Sequence, residues 1–188
     1  MEQRFYDIVE SSPVIAAVKD EEGLEKCCMT EELKVLFILF GDVCSIAGIV
    51  DRAKQAGKTV MVHIDLIHGL SGREIAVDFI RSHTRADGII TTKPNLAGRA
   101  RELGLCSVLR FFVIDSMAFQ NVQKQLGVRP DFIEILPGVM PKIIRQICKE
   151  SRVPVIAGGL IMDKEDVMNA LSAGAIAVST TSQKVWFM

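Results

Sequence analysis

The sequence predicts an α/β fold, a (β/α)8 TIM-type barrel formed by a single domain over residues 1–188. Three observations predict it. Eight short runs rich in Val and Ile, nearly unbroken by polar residues, follow one another along the chain, as strands buried on both faces of a parallel sheet must. Consecutive runs start 18 to 29 residues apart, which suits one strand and one helix per repeat. The series ends after eight with no leftover edge strand, which favours the closed barrel over its alternative, an open doubly wound sheet. At 188 residues the chain is short for this fold, so some helices must be short, and 95–103 (NLAGRAREL) is a candidate.

The elements follow in order. Residues 1–12 precede the first run and read as an extra N-terminal helix covering the bottom of the barrel. The first run, VIAAVK (14–19), ends in Lys19-Asp20, and the second, VLFILFG (35–41), in Gly41-Asp42. The third, TVMVHIDL (59–66), carries His63 and Asp65 two positions apart, which places them on one face of a strand. Its loop, HGLSGRE, is either a mobile flap over the barrel mouth or a solvated connection, and 71–83 gathers Ile75, Phe79 and Ile80 on one side of a helix. The fourth run, GIITTK (88–93), ends in Lys93. The fifth, CSVLRFFVI (106–114), has Arg110 mid-strand as a structural anchor and is followed by Asp115-Ser116. The sixth, FIEILPG (132–138), holds Glu134, and the helix over 138–152 puts Ile143, Ile144 and Ile147 on one side. The seventh, PVIAGG (154–159), leads to a helix over 163–174 with Asp163 as N-cap, acids in its first turn and Gly174 at its end. The eighth is AIAVST (175–180).

A net charge of −1 offers no global attraction to a polyanion, so any such partner must meet a local basic patch. Five cysteines, an odd number with no C-x-x-C, fit a reducing cytosol without disulfides. Three histidines at these spacings give no metal-ligand pattern, so no metal and no cofactor are expected. No run approaches the roughly 20 apolar residues of a membrane span, and a cytoplasmic protein is expected.

In a barrel of this kind a ligand sits where the strands end. The seventh strand stops in Gly158-Gly159, where no Cβ keeps an anion from the backbone. The eighth stops in Ser179, Thr180 and Thr181, which bring hydroxyls and amides, and TSQKVW beyond them can form a short helix. The two endings are adjacent in a closed barrel and together suggest a pocket for a phosphate group, the bland alternative being turns that let helices pack close. A hydrogen bond to a charged group contributes about 1.5–3 kcal/mol, and three or four of them would hold a phosphorylated metabolite at micromolar levels. Lys19, Asp65, Lys93 and Glu134 are the other candidate ligand-binding residues. Lys93 either forms an ion pair with a carboxylate or serves as a Schiff-base lysine. His63 with Asp65 is either an acid–base pair or a hydrogen-bonded barrel lining. Glu134, among apolar neighbours, must be paired or protonated, with a ligand hydroxyl, Lys19 or Lys93 available to satisfy it.

Lys142, Arg145, Lys149 and Arg152 fall on one helical face, with Arg99 and Arg101 two units earlier. They read either as contacts to a nucleic-acid backbone or as an ordinary solvated face.

The ordered segments SPVIAAVK, VHIDLIHGL, DGIITTK, RFFVIDS, PDFIEILPG, PVIAGGLI and GAIAVSTT resemble the bacterial glycerol-3-phosphate-responsive antiterminators from about residue 12 to the end. The resemblance implies a regulator with no catalytic residues. It implies glycerol 3-phosphate as effector, with phosphate at Gly158, Gly159, Ser179 and Thr180, and glycerol hydroxyls near some of Lys19, Asp65, Lys93 and Glu134. It also implies binding to a leader mRNA, which keeps a terminator from forming at glycerol uptake genes. The alternative function is a phosphosugar-converting enzyme, an isomerase or a lysine-dependent aldolase, using His63, Asp65, Lys93 or Glu134.

Overall fold

In the computed structural model, eight parallel strands pair in chain order and close, with the eighth beside the first. They are β1 (Val14–Val18), β2 (Val35–Ile38), β3 (Thr59–His63), β4 (Gly88–Thr91), β5 (Cys106–Phe112), β6 (Phe132–Leu136), β7 (Val155–Gly158) and β8 (Ala177–Thr180). The structure describes residues 2–188, leaving aside the side chains of 2–4, 123 and 126. A helix precedes β1, α1 (Glu2–Ser11). Between the strands run α2 (Glu21–Met29), α3 (Ile46–Gln55), α4 (Ile75–His83), α5 (Pro94–Glu102), α6 (Ser116–Gln125), α7 (Pro141–Glu150) and α8 (Lys164–Ser172), and α9 (Gln183–Trp186) closes the chain.

The chain builds a full barrel from so few residues because its elements are short and matched. A four-residue strand such as β7 spans about 13 Å. A nine-residue helix such as α8 returns over the same length at about 1.5 Å per residue. Helix boundaries follow local chemistry. Asp163 caps α8 by accepting from the Asp166 amide at 3.0 Å, and Asp20 caps α2 by accepting from the Gly23 amide at 2.8 Å. The helix expected over 138–152 is shorter: it starts at Pro141, which suits a first helical position, and ends at Glu150.

The apolar core has two compartments. Inside the barrel, Ile15, Phe37, Met61, Ile90, Val108, Phe132 and Ile156 form a floor with Phe5 and Val9 of α1, which plug the end where the strands begin. Phe5 meets Phe132 edge-on with ring centroids 4.9 Å apart. Outside, alternate strand residues such as Val62, Leu109, Ile133 and Val178 pack under the helices. At the other end α9 folds back on the barrel, with buried Trp186 donating its indole N–H to the Thr180 carbonyl at 2.8 Å.

Candidate functional site

The inward positions fixed by the apolar floor predict what lies one step nearer the mouth. Two residues past Met61, Val108, Phe132, Ile156 and Ala177 come His63, Arg110, Glu134, Gly158 and Ser179. On these strands the layer is polar where the one beneath it is apolar, while Ala17 and Leu39 keep it apolar beside β1 and β2, and it is dry: Glu134 is 0 % exposed.

Strand register places Arg110 directly beside Glu134. The arginine donates its Nε–H to Glu134 Oε2 at 2.5 Å, and Ser179 donates its hydroxyl to Oε1. Glu134 is therefore satisfied by Arg110 and Ser179, in place of the ligand hydroxyl, Lys19 or Lys93 that the sequence offers. Gly158 sits against this bond, where an added Cβ would lie 2.5 Å from Glu134 Oε1 and 2.6 Å from Ser179 Oγ.

Asp65 is not on the strand. β3 stops at His63, and Asp65 lies in a single 3-10 turn, Ile64–Leu66. That turn brings its carboxylate to the end of β4, where Oδ2 accepts from the Thr92 amide at 2.7 Å and from the Thr91 hydroxyl at 3.0 Å, and Oδ1 faces Lys93 Nζ at 3.2 Å. Burial raises the Asp65 pKa, but the Thr92 and Thr91 donors, with Lys93 beside them, outweigh it and hold the carboxyl below its ordinary range. Lys93 is thus in an ion pair, the first of the two roles open to it. The backbone of Gly72, in the loop after β3, rests on the Lys93 ammonium. Lys19 is exposed at the end of β1.

Burial, then the nearby Arg110 charge, lower the His63 pKa to about 4 from an ordinary 6.5. The ring is neutral near pH 7. An unfolded histidine takes up a proton near pH 6.5, whereas the folded one resists until about 4. Stability from this group is therefore complete above pH 6.5 and lost as pH falls towards 4, by about 3 kcal/mol at full extent. Urea midpoints at pH 7 and pH 4 test this, and His63→Leu is expected to remove that part of the difference.

The two loops at the phosphate candidate are stitched together. Gly159 has φ +75° and Leu160 φ +61°. Among the described residues, the amides of Gly159, Leu160 and Thr181 donate to no protein acceptor. Ser179 points inward, whereas Thr180, one residue on, points outward: it donates its hydroxyl to the Ile161 carbonyl at 2.6 Å and accepts from the Ser182 amide at 2.9 Å. Thr180 ties the loops, and Thr181 is exposed beside them.

The basic residues divide. Lys142, Arg145 and Lys149 are exposed on α7 and form no ion pair among the described residues. Arg152 leaves their row, because α7 ends before it, and it lines a small hollow with Tyr6 at the opposite end of the barrel. Arg99 pairs with Asp78 at 2.6 Å and Glu102 at 2.8 Å, and Arg101 lies 3.9 Å from Asp131. Sequence reasoning missed an apolar rim: Phe112 at the end of β5, Ile114 and Met117 beyond it, and Leu160 and Met162 beyond β7 are all exposed. Beside it, a cleft of about 550 Å³ opens between α6 and α7, lined by Ile114, Phe119, Met140 and Ile143. The alternation of RFFVID was the signal, since residues past the strand end have no helix over them.

Comparison with known proteins adds to this geometry. Residues 14–186 match the family model described as glycerol-3-phosphate responsive antiterminator. The uncharacterized protein YgcP of Escherichia coli (strain K12) is 43% identical over 180 residues, covering 95% of this chain and 94% of its own. The glycerol uptake operon antiterminator regulatory protein of Listeria monocytogenes superposes with a TM-score of 0.89 at 34% identity, over 93% of this chain and 94% of that one. A glycerol uptake operon antiterminator-related protein of Thermotoga maritima gives a TM-score of 0.83 at 34% identity, over 94% of this chain and 99% of that one.

Proposed function

Because this chain belongs to the glycerol-3-phosphate responsive antiterminator family, we propose that it is a cytoplasmic RNA-binding regulator that senses glycerol 3-phosphate at the barrel mouth and, when loaded, holds a leader mRNA of glycerol uptake genes so that transcription continues. The phosphate is received by the amides of Gly159, Leu160 and Thr181 beside Gly158 and Ser179, and Thr180 keeps the two loops in register. The glycerol end lies towards Lys19, Asp65, Lys93 and Glu134. The observation that carries this reading is the set of unpaired loop amides beside a buried Arg110–Glu134–Ser179 network whose carboxylate is satisfied on both oxygens. Oriented amides favour an anion. Lys93 is committed to Asp65, which suits binding better than the free amine that Schiff-base chemistry requires.

A ligand promotes RNA binding only if it prefers the RNA-competent conformation. The Gly72 backbone rests on Lys93, and His68 of the same loop bridges to Asp42 after β2. An effector that draws Lys93 towards itself therefore acts on the loop over residues 68–73 and on its neighbour. RNA then lies along Lys142, Arg145 and Lys149 of α7, with Arg152 beyond the helix end; Arg99 and Arg101 add positive charge already matched by carboxylates.

The test is filter retention of a leader RNA from a glycerol uptake operon, with and without glycerol 3-phosphate, across a salt series. Each phosphate contact on single-stranded RNA contributes about 0.7 to the slope of log affinity against log salt. The wild type is expected to need glycerol 3-phosphate for tight retention, and Lys149→Glu is expected to weaken retention and flatten the slope by about one contact. A slope near zero in the wild type refutes the α7 surface. Retention indifferent to glycerol 3-phosphate refutes the sensing role.

A further inference from the structure

We infer that His63 reads a hydroxyl group of the bound effector and makes the floor of the mouth a polyol subsite. This rests on the effector reading above. His63 faces inward in the layer that holds Arg110, Glu134 and Ser179. β3 lies across the closed barrel from β7. A small ligand anchored by its phosphate at the ends of β7 and β8 therefore points its other end at this ring.

The ring carries a buried nitrogen that no described residue meets. Both oxygens of Glu134 are taken, by Arg110 and Ser179. Asp65 Oδ2 is held by Thr91 and Thr92, and its Oδ1, which accepts no hydrogen bond, has the Lys93 charge 3.2 Å away. His63 is 3 % exposed, yet its Nδ1 is buried without a hydrogen-bond partner. The nearest carboxylate oxygen, Asp65 Oδ2, stands off at 3.9 Å, beyond hydrogen-bond range. A buried polar group left in that state is costly, and a partner arriving with the ligand recovers the loss.

The chemistry of the ring selects the partner. A neutral imidazole donates from one nitrogen and accepts at the other, and a hydroxyl likewise does both. A phosphate oxygen only accepts, and the loop amides already suit it. A site built to hydrogen-bond a hydroxyl rejects an analogue lacking it, because the site's own polar group is then stranded.

Calorimetric titration of the full chain with glycerol 3-phosphate and with propyl phosphate, which keeps the chain and the phosphate but has neither hydroxyl, tests the inference. The wild type is expected to prefer glycerol 3-phosphate at least a hundredfold. His63→Leu is expected to bind propyl phosphate as the wild type does and to lose tenfold or more of the preference, while remaining as stable at pH 7. His63→Gln, which keeps a donor and an acceptor, recovers part of it and stands in should the leucine variant not fold. An undiminished preference in His63→Leu and His63→Gln overturns the hydroxyl subsite and leaves the effector site standing. A wild type that binds neither compound overturns both.

Discussion

Arg110→Met is expected to destabilise the fold by about 3–5 kcal/mol in urea denaturation at pH 7, the usual cost of stranding one member of a buried ion pair. Arg110 is 8 % exposed and Glu134 0 %, so the surviving carboxylate has no water to turn to. Ser179 still donates to Oε1, but Oε2 loses the Nε–H that held it. The double variant Arg110→Met/Glu134→Leu is expected to regain most of the loss, since apolar groups of similar volume often replace a buried pair at little cost. Both variants are expected to lose effector binding, and this separates the fates of stability and function. A single variant within 1 kcal/mol of wild type would mean that water reaches Glu134, and the dry floor would have to be abandoned.

This pair also marks how far the sequence could be read. Eight Val- and Ile-rich runs made the barrel legible, because buried parallel strands leave no other pattern. Which residues sit side by side across strands was not legible, since register depends on turn geometry and packing between elements far apart in the chain. Arg110 therefore reads as a structural anchor and Glu134 as an acid to be met by a ligand hydroxyl, Lys19 or Lys93, when the two are neighbours on β5 and β6. The alternation of β8 was readable, yet Ser179 and Thr180 look equivalent as a hydroxyl pair until that alternation sends one inward and the other to Ile161. His63 Nδ1 and Asp65 Oδ2 lie 3.9 Å apart, out of hydrogen-bond range, because a 3-10 turn and not strand alternation carries Asp65. The three basic residues of α7 and the pair on α5 look alike in sequence. Glu102 is a local partner of Arg99 three residues along its helix, but only the fold brings Asp78 to Arg99 and leaves Lys142, Arg145 and Lys149 open.

Gly158→Ala is expected to lower affinity for glycerol 3-phosphate at least a hundredfold. The new Cβ would lie 2.5 Å from Glu134 Oε1 and 2.6 Å from Ser179 Oγ, distances at which something must move. Glu134 cannot easily yield, because Arg110 holds its other oxygen. Ser179 or the end of β7 must shift instead, and both belong to the proposed phosphate cradle. The stability cost is expected to be smaller, about 1–3 kcal/mol, that of one buried hydrogen bond opened. Gly159→Ala is the matched comparison. Its Cβ would lie 3.2 Å from Leu136 Cδ2, a tight contact that this side chain must relieve by a few tenths of an ångström, and its φ of +75° costs an L-residue about 1–2 kcal/mol. The two variants are thus expected to lose similar stability, while Gly158→Ala loses far more affinity, as titration calorimetry beside urea unfolding will read. Equal losses of affinity would assign the effect to general loosening of the loop, and undisturbed affinity in both would place the ligand away from the ends of β7 and β8.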